Sequence, residues 1–218
     1  LGEDGSLPPT DWQANFGGGA WTRVTEADGT PGQWYLHLFD PSQPDLNWDD
    51  ARVREDFETT LRFWLDRGVD GFRVDVAHGL VKDPTFPPFG KHPGGLMEVT
   101  HEAPYWDQDG VHEIYRGWRA LLDSYGTPER ILCAEAWVNP ADRLARYVRP
   151  DEFHQAFNFD FLETRWRATD LREAVRRSLA ANDSVGAIST WVLSNHDVLR
   201  HASRFGLPVD GARPNGIG

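Results

Sequence analysis

The 218 residues suffice for one domain or one and a half, and 39% apolar residues with 10 Trp and 12 Phe can fill a sizeable core. Lys and Arg number 22 against 34 Asp and Glu, and the formal net charge of −12 argues against nucleic acid or an anionic membrane surface as the main partner. Cys133 is the only cysteine, which leaves no intrachain disulfide framework and no thiolate metal cluster; its neighbours Ile131, Leu132 and Ala134 predict a buried, inert thiol.

Residues 1–33 are rich in Gly, Pro and polar side chains and read as loop or small subdomain, with the remainder, 34–218, as the main domain. Asp49 and Asp50 then open a helix with Val53, Phe57, Leu61, Trp64 and Leu65 at helical spacing and Gly68 at its C-terminal end. Val69 to Ala77 reads as a strand, and residues 82–110 as a long irregular connection of the kind that lines sites. Val111, Ile114, Tyr115, Trp118, Leu121, Leu122 and Tyr125 mark a second helix closed by Gly126, and RILCAEAW a second strand. PADRLARYV predicts a short helix with Pro140 near its start, HQAFNFDFL a strand, ATDLREAVRRSLAAN a helix, and Ile188 to Leu193 a last strand. Helices alternating with strands apolar enough to be covered on both faces predict an α/β protein with a parallel sheet.

The acids stand at informative places in that pattern. Asp75 lies near the carboxyl end of the first clear strand, Glu135 near the end of the second, and Asp197 just past the last. In parallel α/β architectures the carboxyl ends of strands carry the chemistry. Three carboxylates at one mouth suit a divalent metal site or glycoside hydrolysis, which needs one carboxylate as nucleophile and one carboxylic acid to protonate the leaving oxygen. Any one of the three could instead be a helix cap or an ion-pair partner of Arg73 or Arg200.

Three short stretches carry a family resemblance that favours the second, while a metal enzyme would need further His or Asp ligands close to the trio and would answer to a metal titration. GFRVDVAHG, ILCAEAW and LSNHD resemble, in order, the second, third and fourth signatures of glycoside hydrolase family 13, the α-amylase family, with spacing that fits barrel strands four, five and seven. NFGGGAW, QWYLHLFDPSQPDLNWDD, RFWLDRGVDGFRVDVA, FNFDF and NHDVLRHASRFG are similar to the α-glucosidase branch, with oligo-1,6-glucosidases and trehalose synthases among its members. The resemblance implies a partial (β/α)8 TIM barrel, roughly strands four to seven, preceded by the end of an inserted loop subdomain. It implies a retaining α-glycosidase acting on short oligosaccharides, with Asp75 as nucleophile, Glu135 as acid and base, and Asp197 with His196 on the ring hydroxyls. Arg73 is placed to hold Asp75 ionised, and His78 and Arg200 are weaker candidates for substrate contact. No cofactor is implied for this stretch; calcium sites of the family use segments not found in it. A small oligosaccharide is the partner implied.

The resemblance leaves other outcomes open. Transfer or isomerisation, as in trehalose synthases and sucrose-acting enzymes, uses the same acids, and a catalytically silent relative would lack them. Val76 is similar to the choice of α-1,6-preferring relatives, whereas the AHG that follows departs from their pattern. Phe157 and Phe159 read as core, Ser194 and Asn195 as turn residues, and Trp12, Phe16 and Trp21 as either packing or a sugar wall. The first signature, with its Asp and His, has no counterpart. The chain starts at Leu and closes in the Gly/Pro-rich GLPVDGARPNGIG, so an internal piece of a longer protein, inactive alone, is expected. No apolar run approaches the roughly 18 residues of a membrane span, and LGEDGSLPPTDW lacks a basic then apolar leader, so a cytoplasmic location is expected.

Overall fold

The computed structural model describes residues 5–90 and 102–205. Its chain separates into two units, one formed by residues up to Phe63 together with His78–Val111, the other by Trp64–Ala77 together with the residues from His112 onward.

The first unit contains an antiparallel hairpin, β1 (Trp21–Thr25) and β2 (Pro31–Leu36), which the composition of residues 1–33 had concealed. Its turn follows local chemistry. The Asp28 carboxylate accepts the Thr30 backbone N–H at 3.0 Å and the Thr30 hydroxyl at 2.6 Å, and Gly29 takes a φ of +84° that costs glycine little. Around the hairpin, Trp12 is buried among the rings of Trp21, Phe86 and Tyr105, with its indole N–H donated to the Pro87 carbonyl at 2.8 Å. Lys82 is an internal cation. Its ammonium pairs with Asp45 at 2.6 Å and also donates to the Gly79 carbonyl, while the other Asp45 oxygen accepts the Leu38 N–H at 2.7 Å. Helix α1 (Ala51–Leu65) begins where the Asp50 carboxylate accepts the Arg52 N–H at 2.9 Å. The unit boundary falls in its last turn.

The second unit is built on a parallel sheet of β3 (Gly71–Val74), β4 (Ile131–Ala134) and β5 (Gln155–Ala156) in that order. Gly71 pairs with Ile131, Arg73 with Cys133, Val74 with Ala134, and Cys133 in turn with Gln155. Helix α2 (Val111–Asp123) precedes β4 and buries Ile114, Tyr115, Trp118, Leu121 and Leu122 at the spacing expected of an amphipathic helix. The Tyr115 ring meets Phe153 edge-on at 4.4 Å. His112, on the same helix, pairs with the fully buried Glu152 at 2.7 Å, and Arg149 holds the other side of that carboxylate. Short α3 (Ala141–Ala145) runs into a 3-10 turn at Arg146–Val148, then come α4 (Phe159–Glu163), α5 (Ala168–Asp183) and α6 (His201–Arg204).

Three sequence expectations change. HQAFNFDFL forms strand only at Gln155–Ala156, because the Asn158 side chain accepts the Phe161 N–H at 3.0 Å and caps α4 instead. Ile188 to Leu193 adopts no strand; apolar β-formers need a ladder partner, the described residues offer none there, and Ile188 is 85% exposed. The sheet is covered on one face rather than two. Leu132, Ala134 and Ala156 are buried, whereas on the opposite face Ile131 is 48% exposed and Arg73 and Gln155 are open to solvent. Cys133 lies on that second face and is half-buried rather than buried, with burial pushing its thiol pKa up against the Arg73 charge, which disfavours the thiolate.

The spacing of β3 and β4 depends on Gly71. A Cβ there would lie 2.3 Å from the Ile131 carbonyl oxygen, a backbone atom with nowhere to swing. Gly71→Ala is expected to part the two strands and lower stability by about 1–3 kcal/mol, read as a fall in the denaturant midpoint; an unchanged midpoint would show that the strands do not approach so closely.

Candidate active site

Parallel pairing decides which residues meet. Val74 and Ala134 are register partners and end their strands, so the next residues, Asp75 and Glu135, emerge side by side at the carboxyl edge of the sheet. Arg73 points to the same side as Asp75, since side chains two apart on a strand share a face. Its guanidinium joins the two acids, with Nη1 2.7 Å from Asp75 Oδ1 and Nη2 3.1 Å from Glu135 Oε2. The aromatic ring of Phe157, just past β5, lies 5.8 Å from the Arg73 guanidinium carbon. Phe159 is core, stacked on Trp137 at 3.6 Å.

The two acids have unlike surroundings. The Asp75 side chain is 70% exposed and that of Glu135 only 5%. Burial pushes the Glu135 carboxyl above its ordinary value, and the hydrogen bond it shares with Asp75 adds to this, against the Val76 N–H and Arg73. For Asp75 burial also pushes upward, but the hydrogen bonds from Glu135 and Arg73 outweigh it and hold the carboxyl below its ordinary value. The surroundings thus favour the neutral form of Glu135 and the ionised form of Asp75. Two neighbouring carboxyls pushed in opposite directions are the pattern that acid-base chemistry uses.

The backbone that follows Asp75 is unusual. Val76 has a φ of +46°, a left-handed conformation in which a β-branched side chain is strained, and strain of this kind costs about 1–3 kcal/mol. Its N–H is thereby turned toward Glu135 Oε2, 3.2 Å away. The Ala77 N–H donates to the Glu135 carbonyl at 2.8 Å.

Asp197 comes from the loop between α5 and α6. Asn195 shapes that loop, accepting the Asp197 and Val198 N–H groups at 3.1 Å and donating to Asp197 Oδ2 at 3.2 Å. His196 Nε2 lies 3.4 Å from Asp197 Oδ1. Asp197 is close enough to act electrostatically on Arg73, and His196 on Asp75.

With this arrangement in view, the comparison with known families is specific. The sequence profile described as "Alpha amylase, catalytic domain" matches residues 2–213. The chain belongs to the α-amylase family. An alpha-glucosidase of Apis mellifera is 35% identical over 92% of the chain, and a trehalose-6-phosphate hydrolase of Bacillus subtilis (strain 168) is 32% identical over 96%. Among solved structures, an alpha-glucosyl transfer enzyme superposes with a TM-score of 0.75 at 31% identity, over 94% of the chain and 39% of its own. The α-amylase-family chain spans 35% of the bee protein's length and 37% of the bacterial one. Catalytic domains of this family are TIM barrels, and the three-stranded parallel sheet with its helices is a piece of one.

The remaining candidates are scattered. His78 belongs to the first unit, buried with its ring 4.8 Å from that of Trp106. Arg200 is exposed immediately before α6. The Ser194 hydroxyl accepts the His201 N–H, in the first turn of α6, at 2.9 Å. Trp12 packs in the first unit, whereas Phe16 is 64% exposed, edge-on to Phe39. Among the described residues no group of three or more His, Cys, Asp or Glu is arranged to hold a metal ion, and the space between Asp75 and Glu135 is bridged by a guanidinium. No helix of the described residues is long and apolar enough to cross a membrane. The contribution of Gly71, the second Arg73 contact and the Val76 strain escaped sequence reading; a glycine opening a strand is the one visible signal among them.

Arg73 favours the ionised form of both carboxyls. Arg73→Met therefore moves both titrations to higher pH, Asp75 more than Glu135, since Asp75 also loses a hydrogen bond. Carboxyl carbon NMR reads each midpoint; unmoved midpoints would mean that Arg73 does not face the pair in solution.

Proposed function

We propose that the protein carrying this chain is a retaining α-glycosidase that removes terminal α-linked glucose from short oligosaccharides. The observation that carries the reading is the carboxyl pair itself, within hydrogen-bonding reach, oppositely shifted and bridged by one arginine. Retaining enzymes place their carboxyls about 5 to 5.5 Å apart, inverting ones about 6.5–9.5 Å to admit a water. Two carboxyls bridged by one guanidinium, at 2.7 and 3.1 Å, support the first. In this reading residues 34–218 supply roughly strands four to seven of a (β/α)8 barrel, the exposed sheet face being the barrel interior, and residues 1–33 the end of an inserted loop subdomain.

The chemistry follows from the protonation states. Ionised Asp75 attacks the anomeric carbon while Glu135 gives its proton to the departing oxygen, leaving a β-glucosyl ester on Asp75. Glu135, now a carboxylate, takes a proton from water, whose oxygen attacks the anomeric carbon and frees Asp75. Asp197, with His196, hydrogen-bonds ring hydroxyls more strongly as positive charge develops on the sugar. His78 and Arg200 are assigned to substrate contact more weakly. The two carboxyls require no cofactor for either step.

A second reading keeps the same first half and replaces water by a sugar hydroxyl. The likeness to an alpha-glucosyl transfer enzyme favours it, and the outcome turns on how well the closed site excludes water. The products of one turnover, free glucose or a new disaccharide, separate the two.

Two experiments on the full-length protein test the assignment. A slow-turnover fluoroglucoside is expected to label Asp75, and Asp75→Ala to lower turnover by several orders of magnitude with the fold intact; a label on another acid would remove Asp75 from its role. Glu135→Ala is expected to slow hydrolysis of disaccharides by about 10²–10⁴-fold and of aryl glucosides with acidic phenols far less, because only a poor leaving group needs the proton. Equal losses on both substrates would contradict an acid role.

A further inference from the structure

The turn after Asp75 is strained and needs holding. Val76 sits at a φ of +46°, and in that conformation its N–H reaches Glu135 Oε2 at 3.2 Å. One strap is the ladder bond from the Ala77 N–H to the Glu135 carbonyl at 2.8 Å. The other comes from a different layer. The hydroxyl of Tyr115, on α2 and fully buried, donates to the Ala77 carbonyl. Tyr115 is well fixed, its ring packed on Trp118 at 5.5 Å and Phe153 at 4.4 Å.

We propose that Tyr115 is a positioning residue for the reaction, holding the Asp75–Ala77 turn in its left-handed form through the Ala77 carbonyl and so setting both the aim of Asp75 and the Val76 N–H contact to Glu135. The inference rests on the glycosidase reading and deepens it. Tyr115 touches neither acid. A side chain with this task must donate, and the phenol is kept protonated by burial and, behind that, by the Glu152 carboxylate. An isosteric Phe retains the ring packing and loses only the donor.

The consequences differ from those of a merely structural residue. With the strap gone, Val76 relaxes toward an unstrained φ, its N–H leaves Glu135, and the carboxyl loses a contact that favours its ionised form. The groups facing Glu135 are Arg73 and Asp75 from β3 and the turn, with Asp197 and His196 acting on these two from the loop after α5.

The test is Tyr115→Phe in the full-length protein, assayed on an aryl glucoside and on a disaccharide. Turnover is expected to fall about 10–100-fold with KM within about twofold, since misaiming by about 1 Å costs that order. The basic limb of the pH profile, set by the acid that must stay protonated, is expected to move to higher pH. Val76→Gly removes the strain, because glycine takes this φ freely, so the same Tyr115→Phe change in that background should cost less than about threefold. Wild-type turnover with an unmoved basic limb overturns the proposal, as does an undiminished loss in the Val76→Gly background. A Tyr115→Phe protein that does not fold assigns the hydroxyl to stability and overturns it too. A wild-type protein without glycosidase activity, or labelled elsewhere than Asp75, removes the underlying reading and the inference with it.

Discussion

The structure of the site depends on one guanidinium. Two like charges about 4 Å apart repel by roughly 4 kcal/mol at an effective dielectric of 20, and by less where solvent screens one of them, so a positive charge between the two acids offsets their repulsion. Arg73 stands on the strand that also delivers Asp75, and its two terminal nitrogens reach one acid each. A lysine would offer a point charge to one partner at a time; the rigid fork fixes two oxygens relative to each other. The side chain is 37% exposed, so solvent screens part of its charge, and its contribution is geometric as much as electrostatic.

One arginine shared equally would leave the acids alike. Burial separates them. Glu135, at the end of the central strand of three, is walled in, whereas Asp75 leads into an open turn. Desolvation disfavours the charged form of the first more than that of the second, and the shared hydrogen bond then amplifies the difference, since a proton on Glu135 stabilises the negative charge on Asp75. The opposite shifts therefore follow from the unlike burial of two neighbouring strand ends.

Sequence reading placed Asp75 and Glu135 at strand ends because such an end is visible as the point where an apolar run stops, and the stretches around them and Asp197 resemble α-amylase-family motifs. It reached α1, α2 and α5 because their apolar spacing is long and regular. What it missed was either overruled locally or made by distant residues. Asp28–Gly29 is a turn pair between two β-rich runs and would have revealed the hairpin, had the Gly and Pro of residues 1–33 not been read as loop. Asn158 capped a helix inside an apparent strand, a contest between propensity and a single side-chain hydrogen bond. Ile188 to Leu193 has strand composition without a strand, because a ladder needs a neighbour as well as a propensity. The reach of Arg73 to Glu135, and the strain at Val76 that turns an N–H toward the same oxygen, join residues far apart in sequence, and no local pattern encodes them.

Period-two alternation divides stability from chemistry. On one face of the sheet Leu132, Ala134 and Ala156 are packed away, and burying such side chains supplies the favourable free energy of the unit. On the other face the register sets Arg73 beside Cys133, half-buried, and Glu135 beyond it, all polar or small. Substitutions on the second face can therefore retune the acids without emptying the core, and substitutions on the first alter stability without touching a proton. Gly71 and Tyr115 stand outside this division. The glycine sets the distance between the strands that carry the acids, and the tyrosine reaches from the packed helix to the turn after Asp75, so through these two the core dictates where the carboxyls lie.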